Sequence, residues 1–212
     1  MKILVTAGPT REPIDPIRFL SNRSTGKMGF AVADQAARRG HEVKLVAGPV
    51  SLATPEGVDR RNVETAGEML RAVEESVPWC DVLIMTAAVS DWRPAVVQTN
   101  KIKKREPVSG ISLERTRDIL QEIAPLKGHR MYVGFAAETD HLEQEARRKL
   151  REKGLDLIVA NDATQADAAF EADTNRVTLF SANGDVENVP LMPKKDVASH
   201  LIKKVEQLLC SA

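Results

Sequence analysis

Ser24, Thr25 and Gly26 stand together where a helical apolar pattern begins, inside a stretch from Ser21 to Gly29 that reads SNRSTGKMG. Small hydroxyl residues and glycines at a helix start bring free backbone N–H groups to one spot, the arrangement by which proteins hold an anion, most often a phosphate. The same residues also serve an ordinary capped helix, and from composition alone both readings stand. A second cluster, Lys101-Ile102-Lys103-Lys104-Arg105, puts four basic residues in five positions. Such a run is commonly a solvated loop. Set opposite a phosphate-binding helix start, it would supply the cations that a polyphosphate requires. The four histidines, His41, His129, His141 and His200, show no metal-ligand spacing, and no metal-ligating residue is assigned. Cys80 and Cys210 are far apart and outside any CxxC pattern, which fits free thiols in a reducing cytoplasm better than a disulfide.

For the two clusters to act together, the chain must deliver both to one edge of a fold. Lys2–Ala7 (KILVTA) reads as a fully buried parallel strand closed by Gly8 and Pro9. Residues 10–20 carry two prolines and four charges and predict a long loop at the carboxyl end of that strand, where α/β proteins place ligands. A helix is predicted over Gly26–Arg39, stopped by Gly40, then a strand over Glu42–Ala47 and a short one over Val58–Val63. Thr65–Val77 reads as a helix with Thr65 and Glu68 spaced as a capping box, and Val82–Thr86 as a strand. The pattern resumes with a strand over Met131–Ala136, a charged helix over Leu142–Lys153 and a strand over Leu155–Ala160. Arg176–Ser181 and Val186–Pro190 flank Asn183-Gly184-Asp185 as a hairpin, and Lys194–Leu209 is a last helix.

This order predicts an α/β fold: a Rossmann-like, doubly wound, mainly parallel sheet with helices on both faces. One domain over residues 1–212 is expected, with Asp91–Gly110 as a basic excursion and residues 175–190 as a hairpin. The formal charge is zero, from 30 basic and 30 acidic residues, so no global field draws the chain to nucleic acid or to an anionic membrane. No apolar run approaches the ~20 residues of a membrane span, and the start, MKILVTAGPT, is a poor signal peptide. A cytoplasmic protein is expected.

The familiar nucleotide fingerprints are missing. A dinucleotide site wants GxGxxG directly after the first strand, whereas Gly8 is separated from Gly26 and Gly29 by the whole loop. Val46-Ala47-Gly48-Pro49 stands where an acidic residue would hold an adenosine ribose. The one tyrosine, Tyr132, has Ala136 and not lysine four positions on. Gly26-Lys27 is followed by Met28, which excludes a Walker A loop. A Rossmann-like scaffold turned to a nucleoside triphosphate is the reading that remains.

VTAGPTREPIDPIRFLSNRSTGKMG, AAVSDWRP, KIKK, GFAAET and LDLIVAND, in this order and spacing, resemble phosphopantothenoylcysteine synthetase, specifically its bacterial CTP-dependent form. The resemblance covers essentially the whole chain. It implies ligation of 4′-phosphopantothenate to L-cysteine: the carboxylate attacks the α-phosphate of CTP, and the cysteine amine then displaces CMP from the acyl-cytidylate. It implies Mg2+ as the accompanying cation, a homodimer, and a phosphopantothenoylcysteine decarboxylase as a frequent fusion partner. Nothing of that decarboxylase is expected ahead of Met1, which predicts either a free-standing protein or an excised domain.

By position in these motifs, Lys101 matches the lysine of intermediate formation and Asn22 the asparagine of the second step, hydrogen-bonded to the acyl carbonyl. Asp91, Ala88, Phe135, Lys149 and Lys153 match nucleotide-contacting positions, and Ser24, Gly26 and Gly29 would hold phosphate. Each has a plainer reading. Lys149 and Lys153 sit in a helix full of charges, Asp91 precedes Arg93-Pro94 as a turn residue would, and Phe135 fits a core strand. Asn22 has no packing role to name. The family's lysine-asparagine-proline-aspartate segment is replaced by Arg115-Thr116-Arg117-Asp118, so no contact is carried over there. Two alternatives accompany this reading: an ATP-using ligase of the same chemistry, and a Rossmann-like module that binds nucleotide without catalysis or a reductase with an atypical fingerprint.

Overall fold

The computed structural model describes residues 1–103, 110–138, 140–162 and 171–210. Lys104 and Arg105 of the basic run, and Thr139 of GFAAET, lie outside the described residues. The chain opens with β1 (Lys2–Ala7), buried from Ile3 onward as a strand covered on both faces must be. A short hairpin follows, β2 (Arg11–Pro13) and β3 (Phe19–Ser21), then α1 (Lys27–Arg38), β4 (Glu42–Ala47), β5 (Val58–Asn62), α2 (Ala66–Ser76) and β6 (Val82–Met85). After β7 (Trp92–Pro94), β8 (Leu113–Arg115) and α3 (Ile119–Ile123) come β9 (Met131–Glu138), α4 (Leu142–Glu152) and β10 (Leu157–Asp162). The antiparallel pair β11 (Thr174–Ser181) and β12 (Val186–Pro193) leads to α5 (Lys194–Cys210).

Eight strands form one sheet in the order β12-β11-β10-β9-β6-β1-β4-β5. The six from β10 to β5 are parallel. Numbered in chain order, those six lie 3-2-1-4-5-6, the doubly wound arrangement expected from the sequence. Its switch point falls between β1 and β6, where one connection leaves toward β4 and the next toward β9.

The strand pleat divides the core. Ile3, Val5 and Ala7 face α1 and α5, meeting Phe30, Ala33, Ala36, Leu201 and Val205. Leu4 faces the other way with Leu83, Tyr132 and Ile158, against Met69 and Val73 of α2, Ile123 of α3 and Leu150 of α4. Thr65 caps α2 by accepting from the Glu68 amide at 3.1 Å, while the Glu68 carboxylate accepts from the amide of Glu64, one residue earlier than a strict capping box would have it.

Several local expectations are corrected. Residues 10–20 are not featureless: Arg11–Pro13 pairs antiparallel with Phe19–Ser21, two three-residue strands too short for any periodicity to reveal. The excursion begins at Asp91 as expected but returns at Arg115, because Trp92–Pro94 pairs with Leu113–Arg115 as a two-stranded ribbon. The hairpin expected over residues 175–190 forms between β11 and β12, and its first strand also pairs with β10 and so extends the main sheet. The strand read at Leu155–Ala160 sits two residues later, since Leu155 instead packs against Gly134, where an added Cβ would lie 2.6 Å from its Cδ1.

Candidate functional site

At the carboxyl edge the switch point opens into a cavity of about 150 Å³, lined by Ser24–Gly29, Thr86–Ala88, Phe135–Ala137, Asn161, Asn175 and Lys194. Ligand pockets commonly begin near ~300 Å³, so this volume suits one charged end of a ligand whose remainder lies along the open edge. The cavity has its shape because α1 comes unusually close to β1. A Cβ on Gly29 would stand 2.3 Å from the Thr86 hydroxyl and 2.5 Å from the Ala7 methyl. Gly26, the residue before α1, holds φ at 78°, a left-handed conformation that glycine adopts without strain. Among the described residues no side chain caps the helix: the Ser24 hydroxyl accepts only from the Gly26 amide, at 3.4 Å. The first turn of α1 therefore presents its N–H groups and the positive end of its dipole to the cavity.

Opposite the helix start, Lys194 is 6% exposed and donates to the carbonyl of Ala172 at 2.5 Å. Burial, then the nearby Lys27 charge, lowers the pKa of this ammonium. Lys27 itself pairs with Asp173 at 2.7 Å, and that contact holds the Asp173 carboxyl below its ordinary value. Thr86, Asn161, Asn175 and Lys194 were not singled out from sequence. Asn161 had a usable signal, since it lies at the carboxyl end of a strand next to the switch point. Lys194 had none, being carried in from an element that begins far along the chain.

The rim is built where β1 and β6 run on past their ends. The Ala88 amide donates to Gly8 O at 2.9 Å, and the Thr10 amide to Ala88 O at 3.3 Å. The Asn22 side-chain nitrogen donates to Ala88 O at 2.9 Å and to Val89 O at 3.2 Å. Both of its N–H groups are thus committed to the backbone, which leaves Oδ1 as the polar end of this exposed side chain. In this geometry Oδ1 is placed to accept, as from an amine, whereas donation to an acyl carbonyl would require one of these two bonds to be given up. Asp91 is exposed at the base of the ribbon, where its carbonyl accepts from the Thr116 amide at 3.0 Å.

The cavity lining thus brings together Ser24, Gly26, Gly29, Ala88 and Phe135, with Asn22 one hydrogen bond away. Phe135 is half-buried, packed on the core and lining the cavity at once, so its two readings are not exclusive. Lys101, Asp91, Lys149 and Lys153 do not line it. Lys101 is exposed on the excursion, next to Ile102, whose backbone is bound to the turn between β2 and β3. Lys149 and Lys153 are not simply solvated: Lys149 pairs with Glu138 at 2.6 Å, and Lys153 with Asp118, the residue that caps α3. Arg115 lies over the Trp92 ring at 5.5 Å. Among the described residues no group of three or more His, Cys, Asp or Glu side chains is arranged to hold a metal ion, and no helix is long and apolar enough to cross a membrane.

Comparison with known proteins points one way. Residues 1–209 match the family model described as the DNA/pantothenate metabolism flavoprotein C-terminal domain. The chain is 45% identical over 207 residues to the coenzyme A biosynthesis bifunctional protein CoaBC of Bacillus subtilis (strain 168), covering 97% of this chain and 51% of that protein. It is 48% identical over 209 residues to the same-named protein of Escherichia coli (strain K12), again covering 97% and 51%. The chain therefore spans about half the length of the curated relatives it matches. Among solved structures, the C-terminal domain of coenzyme A biosynthesis bifunctional protein CoaBC superposes with a TM-score of 0.85 at 44% identity, covering 100% of this chain and 96% of that one.

Proposed function

Because the chain belongs to the DNA/pantothenate metabolism flavoprotein C-terminal domain family, we propose that it is a phosphopantothenate–cysteine ligase of coenzyme A biosynthesis that uses CTP. In the first step a carboxylate oxygen of 4′-phosphopantothenate attacks the α-phosphorus of CTP, and pyrophosphate leaves. In the second, the cysteine amine attacks the acyl carbon of the cytidylate, CMP leaves with the bonding pair, and the amine gives up a proton. The relatives, bifunctional proteins of coenzyme A biosynthesis, support the pathway, and the match to one half of such a protein supports a decarboxylase as the working partner.

The observation that carries the reading is the bond from Asn22 to Ala88 O, which ties the residue proposed for the second step to the lining of an anion-suited cavity. Ser24, Gly26 and Gly29 hold a phosphate through the α1 start. Lys101 offsets the repulsion between carboxylate and triphosphate and stabilises the charge that develops at phosphorus. Asn22 accepts from the cysteine amine through Oδ1 and aims its lone pair at the acyl carbon. Asp91, Ala88 and Phe135 contact the nucleotide, and the phosphates replace Glu138 and Asp118 as partners of Lys149 and Lys153. With no three-carboxylate cluster among the described residues, Mg2+ would be held mainly by the triphosphate oxygens.

A homodimer completes the proposal. Ile17, Phe19, Trp92, Val96, Val97 and Leu113 are 45–68% exposed on the small hairpin and the ribbon, an apolar surface suited to a second copy. Function in the cytoplasm accords with the pathway. The test is to incubate the chain with CTP, Mg2+, 4′-phosphopantothenate and cysteine, and to measure pyrophosphate and CMP, with ATP in a parallel reaction. Product with CTP supports the proposal; no pyrophosphate from either nucleotide removes it.

A further inference from the structure

Asp15 is not among the residues that line the cavity, yet its side chain is 0% exposed and takes more N–H bonds than its turn requires. Oδ1 accepts from the amides of Ile17 and Arg18, both at 2.8 Å, which closes the turn between β2 and β3. Oδ2 accepts from the Arg18 guanidinium at 2.9 and 2.5 Å, and from the Ile102 amide at 3.2 Å. The same Arg18 nitrogen that binds Oδ2 also donates to the Ile102 carbonyl at 2.9 Å. Carboxylate and guanidinium thus close a ring through both backbone groups of one residue on the excursion. A second tie lies close by, from the Gln98 amide to Ile14 O at 2.9 Å.

Ile102 is half-buried, while Lys101 and Lys103 on either side of it are exposed. Holding both the N–H and the C=O of the residue between them fixes the plane of the chain there. It thereby fixes the direction in which the two ammonium groups leave it. A fully buried carboxylate thus gives part of its bonding capacity to an excursion 87 residues away. The Arg18 guanidinium holds the Asp15 carboxyl far below the usual carboxylate range, so the ring stays charged throughout the physiological range.

We propose that Asp15 is a positioning residue: with Arg18 it clamps the backbone of Ile102 and so aims Lys101 at the triphosphate. The role rests on the ligase reading of Lys101. It predicts that loss of the clamp slows the first step without loosening the sheet, since a small misplacement of a catalytic cation costs about a hundredfold.

The experiment compares wild type, Asp15→Ala and Asp15→Asn in two readouts: amide hydrogen exchange at Ile102, and pyrophosphate release at saturating CTP and 4′-phosphopantothenate. In Asp15→Ala the Ile102 amide should exchange about tenfold faster while β1 and β6 amides keep their protection, and kcat for pyrophosphate release should fall about a hundredfold. Asp15→Asn keeps an acceptor but loses the charge that holds Arg18, and should fall between; it carries the same test if the alanine variant does not fold. Unchanged Ile102 exchange, or faster exchange with unchanged pyrophosphate release, overturns the positioning role, and so does loss of protection throughout the sheet. A wild type that releases no pyrophosphate overturns the ligase reading and this role with it. An active wild type beside an unaffected variant overturns the positioning role alone.

Discussion

The side-chain nitrogen of Asn22 and the carbonyl oxygen of Ala88 meet at 2.9 Å, joining the loop before α1 to the strand that ends at the switch point. A second bond, to Val89 O at 3.2 Å, holds the same nitrogen toward the backbone. Asn22→Asp would set a carboxylate against two carbonyl oxygens and lose the acceptor geometry of Oδ1. Pyrophosphate should still be released, while CMP formation falls by two orders of magnitude or roughly so and an acyl-cytidylate stays bound. Chromatography of the quenched reaction reads this directly; normal CMP production would remove Asn22 from the second step.

Lys101→Gln keeps length and hydrogen bonding but removes the charge. The first step should then slow by about 10²–10³, as when one preorganised donor to a developing charge is lost. Discharge of a cytidylate already formed should be little changed. A pre-steady-state pyrophosphate assay separates the two steps, and equal slowing of both would contradict this assignment.

Gly29→Ala tests whether the close approach of α1 makes the cavity. The added methyl would fall 2.5 Å from Ala7 Cβ and 3.0 Å from Thr6 O, neither of which is the free end of a flexible side chain. The helix must shift, at a cost of about 1–3 kcal/mol, which for a chain of this size is a Tm lower by several degrees, roughly 2–4 °C per kcal/mol. Nucleotide affinity should fall with it. Retained Tm and affinity, by calorimetry, would show that the contact relaxes freely.

The depressed pKa of Asp15 sets a sign for pH. A carboxyl whose folded value lies below its unfolded value of about 3.9 stabilises the fold fully above about pH 4 and loses that contribution as pH falls further. Its first cause is the Arg18 guanidinium, with the amides of Ile17, Arg18 and Ile102 adding to it against the cost of burial. Wild type should therefore exceed Asp15→Asn in urea midpoint at pH 7, with the gap narrowing toward pH 3. A gap that does not change with pH would mean the charge contributes nothing.

Much of this was legible in the sequence because the signals were long. β1 is a near-continuous apolar run and β4 ends in one, and their order with α1 and α2 implies the doubly wound sheet. Motif positions also led to Ser24, Gly26, Gly29, Ala88 and Phe135, which the fold gathers around one cavity. What stayed hidden was short or came from far away. β2, β3, β7 and β8 have three residues each, less than one period of any pattern worth counting. Lys149 lies in the last turn of α4 and Lys153 caps its end, but their partners Glu138 and Asp118 come from other elements, and only the packed fold reveals those pairs. The Asp15–Ile102 bond spans 87 residues and follows no periodicity at all.

The most direct test of the account withholds cysteine. With CTP, Mg2+ and 4′-phosphopantothenate alone, the chain should release about one pyrophosphate per active site and hold an acyl-cytidylate, which added cysteine converts to CMP and 4′-phosphopantothenoyl-L-cysteine. Absence of pyrophosphate before cysteine is added, with ATP as with CTP, would contradict a ligation that proceeds through an activated carboxylate at this site.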